Sequence, residues 1–154
     1  ASGAVGVVRR DPMAMRPFTG YDMGDYFGHW LEMGKNIPNP PKIFHVNWFR
    51  TDADGHFIWP GFGDNMRVLL WILARCEGKV DARETAIGYV PYAKDINIEG
   101  LDITEDTVNE LLSVDNEAWL ADVENIKEFY DMIGGTVPCE LREELSTLKA
   151  RLSK

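Results

Sequence analysis

Aromatic residues and glycines are concentrated in residues 44–65, and this stretch limits the possible folds more than any other part of the sequence. Residues 44–49 and 57–59 have the character of short strands, because aromatic and β-branched side chains dominate them. Asp54-Gly55 lies between them, and this dipeptide favours a chain reversal. Side chains alternate along a strand, so the first strand should present two different faces. These faces are Phe44, Val46 and Trp48 on one side, and His45, Asn47 and Phe49 on the other.

A tight bend follows the second strand and leads into a helix. Residues 60–63 read Pro-Gly-Phe-Gly, a sequence in which neither a strand nor a helix continues. Asp64 or Asn65 then stands where a helix N-cap is expected. Apolar residues recur at helical spacing beyond that point and predict one buried face, formed by Val68, Leu69, Ile72 and Leu73.

Three phenylalanines in this stretch, Phe49, Phe57 and Phe62, are placed where they could hold a planar ring. Stacking of a base on an aromatic side chain contributes about 1–3 kcal/mol, but it hardly distinguishes one base from another. Discrimination needs hydrogen bonds to the edge of the base, and Asn65 carries both a donor and an acceptor. A site that pairs with guanine leaves polar groups unpaired with adenine. The alternative is that these rings are ordinary core, as aromatic clusters usually are.

Longer motifs point to a known family. Residues 41–50 read PKIFHVNWFR and residues 59–65 read WPGFGDN. The segments DPMAMRPF at 11–18, IGYVP at 87–91 and PCE at 138–140 accompany them in order. Together these motifs resemble the GTP-dependent phosphoenolpyruvate carboxykinases, and the similarity covers nearly the whole chain. The chain is identified on this resemblance as the C-terminal part of such an enzyme.

The resemblance implies roles for individual residues in binding the base. In the family, the residues matching Phe49 and Phe62 sandwich the guanine, and the residue matching Phe57 lies against the ring. The run that begins at Phe62 and continues through Gly63, Asp64 and Asn65 holds the edge of the base. Asn65 is the main polar contact, and Asp64 stands where the family commonly has Glu.

One further residue is implied in the substrate pocket. Phe18 matches a residue that lies near the oxaloacetate or phosphoenolpyruvate pocket in the family. Met13 and Thr19 depart from the phenylalanines often found at those two places, so only Phe18 is assigned to the pocket wall.

The resemblance also implies what this segment does not supply. The whole enzyme would convert oxaloacetate and GTP to phosphoenolpyruvate, GDP and CO₂, a decarboxylation with phosphoryl transfer. In the family, the P-loop, the Mn²⁺ and Mg²⁺ ligands and the substrate-binding arginines come earlier in the chain. No Gly-x-x-x-x-Gly-Lys-Ser/Thr motif occurs here. We therefore expect no catalytic residue and no metal ligand in this segment, which alone should be inactive. Its partners would be the guanine nucleotide, oxaloacetate or phosphoenolpyruvate, and the N-terminal remainder of the enzyme.

The expected fold is mixed α+β, mostly helices packed on a few short strands, and it would complete the nucleotide-binding domain of the carboxykinase fold. Residues 1–154 form one part of that domain, in which residues 1–6 are either the exit of a lid or an expression remnant. Residues 41–75 are the guanine-binding segment, and residues 104–154 are the C-terminal helices. Asp22 and Gly34 are the predicted boundaries of the first helix, and a short strand is predicted at 86–90. Thr104 is predicted to precede a short helix, Asp115 and Gly134 to bound the helix after it, and Pro138 to precede the last helix.

Charge and cysteine content narrow the function classes. The formal net charge is -9, which argues against nucleic acids and anionic membranes as partners. Cys76 and Cys139 follow no metal-binding or disulfide pattern, and no signal peptide or membrane-length apolar run is present, so a cytoplasmic setting is expected. Two alternatives remain open. One is a non-catalytic acidic module whose aromatic groove takes a peptide or another planar ligand, and the other is a segment that is partly unfolded alone.

Overall fold

The structure, a computed structural model, describes residues 10–154. The interpretations of residues 1–6 therefore lie outside the described part. The α-helices are α1 (Met23–Asn36), α2 (Asn65–Cys76), α3 (Glu105–Leu111), α4 (Asn116–Ile133) and α5 (Cys139–Leu152), and the strands are β1 (Arg83–Thr85) and β2 (Gly88–Val90). The predicted mixed α+β class is confirmed. None of the described helices combines the length and the apolar character that a membrane span requires.

The chain divides into two compact units. The first consists of the residues up to Pro40 together with Asn116–Lys154, and the second is Pro41–Asp115. The first unit contains α1, α4 and α5, and the second contains α2, α3 and both strands.

Aromatic packing forms the centre of the first unit. Phe27 on α1 and Phe129 on α4 are both buried, and their ring centroids lie 6.4 Å apart in an edge-on arrangement. The leucines of α5 pack inward, since Leu141, Leu145 and Leu148 are half-buried and Leu152 is 2% exposed. Burial of these rings and aliphatic chains stabilises the unit.

The start of α1 is as predicted, and its end is not. Asp22 is the N-cap, where its Oδ1 accepts a hydrogen bond from the backbone N–H of Gly24 over 2.7 Å. A hydrogen bond from the Thr136 side chain lowers the pKa of Asp22. The predicted stop at Gly34 is wrong, because α1 continues to Asn36. The residue before a proline is disfavoured in the helical conformation, so Pro38 moves Ile37 to ψ 121° and ends the helix there.

The second unit has a core of its own around two tryptophans. Trp59 and Trp71 are each 6% exposed, and they pack with Ala93, Ile96 and Val108. Phe44 and Trp48 pack against this core from the extended segment before the turn, as do Val68 and Ile72 from α2. The segment that carries the three phenylalanines of interest is thus fixed to a buried core on one side.

The sheet is a two-stranded antiparallel hairpin whose register pairs Arg83 with Val90 and Thr85 with Gly88. The strand predicted at 86–90 is confirmed over Gly88–Val90. The sequence predicted no strand before it, but Arg83–Thr85 is β1. A polar strand carries no apolar alternation, and both Arg83 and Glu84 are exposed here.

The two strands predicted at 44–49 and 57–59 do not form in the described chain. The only pairing there is an isolated antiparallel bridge between Thr51 and Phe57. The chain reversal is confirmed, and Gly55 takes φ 84°, a value that favours glycine. The predicted alternation is also confirmed, because Phe44, Val46 and Trp48 are half-buried and His45, Asn47 and Phe49 are exposed. Packing on the tryptophan core, rather than a neighbouring strand, holds this segment extended.

Candidate functional site: an aromatic cavity

An open cavity of about 560 Å³ lies on the second unit. Its walls are Trp48, Phe49, Phe57, Trp59, Pro60, Gly61, Phe62 and Asn65. Four of the six residues that the sequence assigned to guanine binding are therefore brought together here. The other two, Gly63 and Asp64, lie in the 3-10 turn Phe62–Asp64 beside it.

The three phenylalanine rings of the cavity face solvent. Phe49 is 70% exposed, Phe57 is 65% exposed and Phe62 is 96% exposed. The alternative that these three rings are ordinary core is therefore wrong. Exposed aromatic rings that share a concave surface mark a binding site more often than a packing defect.

The rings leave faces free for a ligand. The centroids of Phe49 and Phe57 lie 5.8 Å apart with the ring planes tilted by 60°, so these rings are not stacked flat on each other. Phe62 lines the same cavity, and its ring is almost wholly uncovered. A planar molecule could contact the face of one ring and the edge of another, which is the geometry that aromatic pairs prefer.

Local hydrogen bonds and backbone conformation place the three rings. The side-chain Oδ1 of Asn47 accepts from the backbone N–H of Phe49 over 3.0 Å, which fixes the local turn. Phe57 is held by its bridge to Thr51. Gly61 precedes Phe62 with φ 104° and ψ −153°, a backbone conformation that residues other than glycine rarely adopt. The Pro-Gly-Phe-Gly sequence is thus what directs the Phe62 ring outward.

Asn65 is held by a partner that the sequence did not indicate. The indole Nε1–H of Trp59 donates to Oδ1 of Asn65 over 2.9 Å. Because an indole nitrogen only donates, the amide atom that faces it must be the oxygen. The Nδ2 amide is then the group that Asn65 can offer to a ligand.

The predicted side-chain cap of α2 is wrong. Asp64 occupies the N-cap position, but its side chain makes no cap hydrogen bond. Its Oδ1 instead accepts from Nε of Arg67 over 3.0 Å, and Asn65 is engaged by Trp59. Both side chains are therefore used to fix the loop beside the cavity rather than to start the helix.

Arg67 is a structural residue of the site that the sequence analysis missed. Besides the contact with Asp64, its guanidinium donates to the backbone carbonyls of Asn97 and Glu99 over 2.9 and 3.0 Å. It thereby ties the start of α2 to the loop after the 3-10 turn Ala93–Asp95. The i,i+3 spacing of Asp64 and Arg67 was the available signal.

The turn between Thr51 and Phe57 carries two carboxylates and an imidazole. Within residues 10–154, Asp52, Asp54 and His56 bring ligand atoms within 4.8 Å of one another, and all three residues are exposed. Oδ1 of Asp52 already accepts from the backbone N–H groups of Asp54 and His56, each over 2.9 Å. The hydrogen bond from His56 is the main reason that the pKa of Asp52 is lowered. These groups build the turn, and they do not fit the metal centre of a phosphoryl-transfer site, which also needs cationic groups for phosphate.

Phe18, the residue assigned to the substrate-pocket wall, lies in the first unit. Its backbone N–H donates to the carbonyl of Met15 over 2.9 Å, and its side chain is 79% exposed. The ring is therefore free of a packing role in the described chain.

The fold and the cavity define a class of protein, a mixed α+β domain that presents an open aromatic cavity of a size suited to a planar ring. Comparison with known proteins makes the assignment specific. Residues 1–151 match the model of the phosphoenolpyruvate carboxykinase C-terminal P-loop domain. The chain belongs to the GTP-dependent phosphoenolpyruvate carboxykinase family.

Relatives from several bacteria have the same name, phosphoenolpyruvate carboxykinase [GTP]. The Renibacterium salmoninarum protein is 55% identical over 154 residues, which are 99% of this chain and 25% of the relative. The Anaeromyxobacter dehalogenans protein is 49% identical over 152 residues, with 99% of this chain and 26% of the relative covered. The Treponema pallidum protein is 50% identical over 155 residues, with 99% of this chain and 25% of the relative covered. The chain thus spans about a quarter of the length of the relatives it matches, and it corresponds to their C-terminal portion.

Proposed function

We propose that this chain supplies the guanine pocket of a GTP-dependent phosphoenolpyruvate carboxykinase. The whole enzyme would convert oxaloacetate and GTP to phosphoenolpyruvate, GDP and CO₂. The observation that supports this proposal is the convergence of Phe49, Phe57, Phe62 and Asn65 on one open cavity. Family membership supports the choice of guanine nucleotide over another planar ligand.

Base binding would combine stacking with one directional contact. Phe49 and Phe62 would enclose the guanine ring, Phe57 would touch it, and the backbone around Gly63 and Asp64 would lie along its edge. Each stacked aromatic side chain is worth roughly 1–3 kcal/mol. Nδ2 of Asn65 would donate to the O6 acceptor of guanine, where adenine carries an amino donor instead. Stacking would then supply affinity, and Asn65 would supply the choice of base.

The chemistry of the reaction would be performed elsewhere in the enzyme. The metal ions, Mn²⁺ and Mg²⁺, would be held by residues outside this chain and would supply Lewis-acid stabilisation of phosphoryl and enolate oxygens. This segment would bind and orient the nucleotide, and Phe18 would contribute to the wall of the oxaloacetate or phosphoenolpyruvate pocket. The N-terminal remainder is therefore the partner that activity requires, and a cytoplasmic enzyme is expected.

The test uses a fusion enzyme, the R. salmoninarum carboxykinase with its matching segment replaced by this chain. We expect metal-dependent carboxykinase activity with GTP, and a much higher KM or no activity with ATP. The chain alone should bind guanine nucleotide in preference to adenine nucleotide and should catalyse nothing. Equal use of GTP and ATP by an active fusion enzyme would contradict the proposal. A non-catalytic peptide-binding module predicts neither a base preference nor activity.

A further inference from the structure

Trp59 and Asn65 form a partly buried hydrogen bond at the wall of the aromatic cavity. The Trp59 side chain is 6% exposed, and its Nε1–H donates to Oδ1 of Asn65 over 2.9 Å. Both residues line the cavity. A primary amide has a donor at one atom and an acceptor at the other, and nothing in its shape distinguishes the two orientations. The indole therefore decides which orientation Asn65 adopts.

We propose that Trp59 is a positioning residue for nucleotide specificity, because it holds the Asn65 amide with its donor available to the base. This inference rests on the proposed function of the cavity as a guanine pocket. With Oδ1 engaged, Nδ2–H₂ is the group that meets position 6 of a purine. Guanine and hypoxanthine carry an acceptor at that position, and adenine carries an amino donor. Two donors that face each other leave both unsatisfied, which is costly once water is excluded.

Loss of the indole N–H would remove this restriction. In a Trp59→Phe variant the Asn65 amide can rotate by half a turn and offer Oδ1 to the amino group of adenine. The ring of phenylalanine keeps most of the apolar contact, so the change acts mainly on the hydrogen bond. Binding of guanine and hypoxanthine nucleotides should weaken, while binding of adenine nucleotides should not.

The chain offers a matched control in Trp71. It is also 6% exposed and belongs to the same core cluster as Trp59. Its Nε1 is buried without a hydrogen-bond partner. Trp71→Phe therefore removes the same atoms from the same core without touching Asn65.

The experiment measures Kd for GTP, ITP and ATP in the fusion enzyme. For Trp59→Phe we expect GTP and ITP binding to weaken by about 10-fold, the effect of one lost hydrogen bond, with ATP binding unchanged or tighter. For Trp71→Phe all three constants should stay within about twofold of the parent, since no hydrogen bond is lost. A purely structural role of Trp59 would weaken all three nucleotides alike, and that result would overturn the proposal. The same holds if Trp71→Phe reproduces the change in the ATP:GTP ratio.

If Trp59→Phe does not fold, a second variant tests the Asn65 amide donor on which the proposed role of Trp59 depends. Asn65→Asp keeps the indole and its acceptor, but it presents a carboxylate oxygen to the base instead of an amide donor. GTP and ITP binding should then fall more than ATP binding. Equal losses for the three nucleotides would overturn the proposal.

The nucleotide preference of the parent fusion enzyme separates a wrong guanine pocket from a wrong role of Trp59. If the parent fusion enzyme shows no preference for GTP over ATP, the proposed guanine pocket is wrong. If the parent prefers GTP and Trp59→Phe keeps the same ATP:GTP ratio, the pocket stands and only the role of Trp59 is wrong.

Discussion

Among the residues of the cavity, Phe62 is the one whose substitution should most clearly change ligand binding without changing stability. At 96% exposure it contributes almost nothing to the buried core. The free energy of unfolding of a Phe62→Ala variant should therefore lie within about 0.5 kcal/mol of that of the parent chain. Loss of one stacking ring should cost roughly 1–3 kcal/mol of nucleotide binding, which raises Kd for GTP by about 5- to 150-fold. Calorimetric titration of the fusion enzyme measures this change.

Phe18→Ala is the control for that substitution. Phe18 is also strongly exposed, at 79%, but it belongs to the first unit and not to the cavity. The Phe18→Ala substitution should leave Kd for GTP within about twofold of the parent value, since it removes no ring from the proposed pocket. Equal effects of the two substitutions would argue against stacking on Phe62.

The ion pair between Lys35 and Glu140 predicts how stability depends on pH. Nζ of Lys35 and Oε1 of Glu140 lie 2.9 Å apart, and this hydrogen bond is the largest cause that lowers the pKa of Glu140 from 4.5 to about 2. A carboxyl group whose pKa falls on folding stabilises the protein above its unfolded pKa. That contribution is lost as the pH falls from 4.5 towards 2.

Glu140→Gln should therefore flatten the acid limb of the stability profile. Between pH 5 and pH 2, urea unfolding midpoints of the variant should fall less steeply than those of the parent. Glu143→Gln removes the same charge from the same helix and serves as the control. A parent profile as flat as that of Glu140→Gln would show that the pair does not couple folding to protons.

Asn65 shows what the sequence could and could not predict about individual residues. The residue types and the Pro-Gly-Phe-Gly bend, together with the family resemblance, selected Phe49, Phe57, Phe62 and Asn65, which line one cavity. The bond from Trp59 was not predictable, because it crosses an irregular loop and no periodicity relates the two positions. Side chains on regular elements have fixed neighbours, whereas loop side chains acquire theirs only when the loop is folded.

The N-terminus of α3 gives the clearest prediction about an element. Thr104 Oγ1 accepts from the backbone N–H of Thr107, and the Thr107 side chain accepts from the backbone N–H of Thr104, which completes a capping box. Thr104→Ala should reduce the free energy of unfolding by about 1 kcal/mol, within a range of about 0.5–2. Urea unfolding followed by circular dichroism measures the change.

Thr104→Ser is the matched variant for the capping box. Serine keeps the hydroxyl acceptor and should retain most of the stability of the parent. If serine destabilises the chain as much as alanine does, packing of the threonine methyl group and not capping is responsible.

Helix α2 shows why a correct helix prediction can select the wrong face. The helix itself was predicted well, but of the four residues expected to be buried, Leu69 is 41% exposed and Leu73 is 58% exposed. Trp71 was not assigned to the buried face, and it is 6% exposed. Residues 68–73 are all apolar, so the spacing of apolar residues could not choose one side. The missing strands at 44–49 and 57–59 have a related cause, because side-chain alternation reports burial and not hydrogen-bonded pairing.

At the scale of the whole molecule, α2 is a helix with two apolar sides. Its inner side packs on the tryptophan core through Val68 and Ile72. Its outer side presents Met66, Leu69, Leu70 and Leu73 with exposed fractions of 57, 41, 57 and 58%. A helix that is apolar all round is normally buried on all sides. This chain spans about a quarter of the length of its relatives, so we expect the remainder of the enzyme to cover the outer row.

If the outer row is covered in the complete enzyme, one substitution should have a small effect on stability in the chain alone and a large effect in the fusion enzyme. Leu73→Gln should change the free energy of unfolding of the chain alone by less than about 0.5 kcal/mol, because the side chain is already exposed. In the fusion enzyme, where the row would be covered, the same change should cost about 1.5–3 kcal/mol, the value for burying a leucine side chain. Val68→Ala, on the inner side, should destabilise both proteins. Thermal and urea unfolding of the two proteins give the comparison, and a Leu73→Gln effect of equal size in both would show that the outer row stays exposed in the complete enzyme.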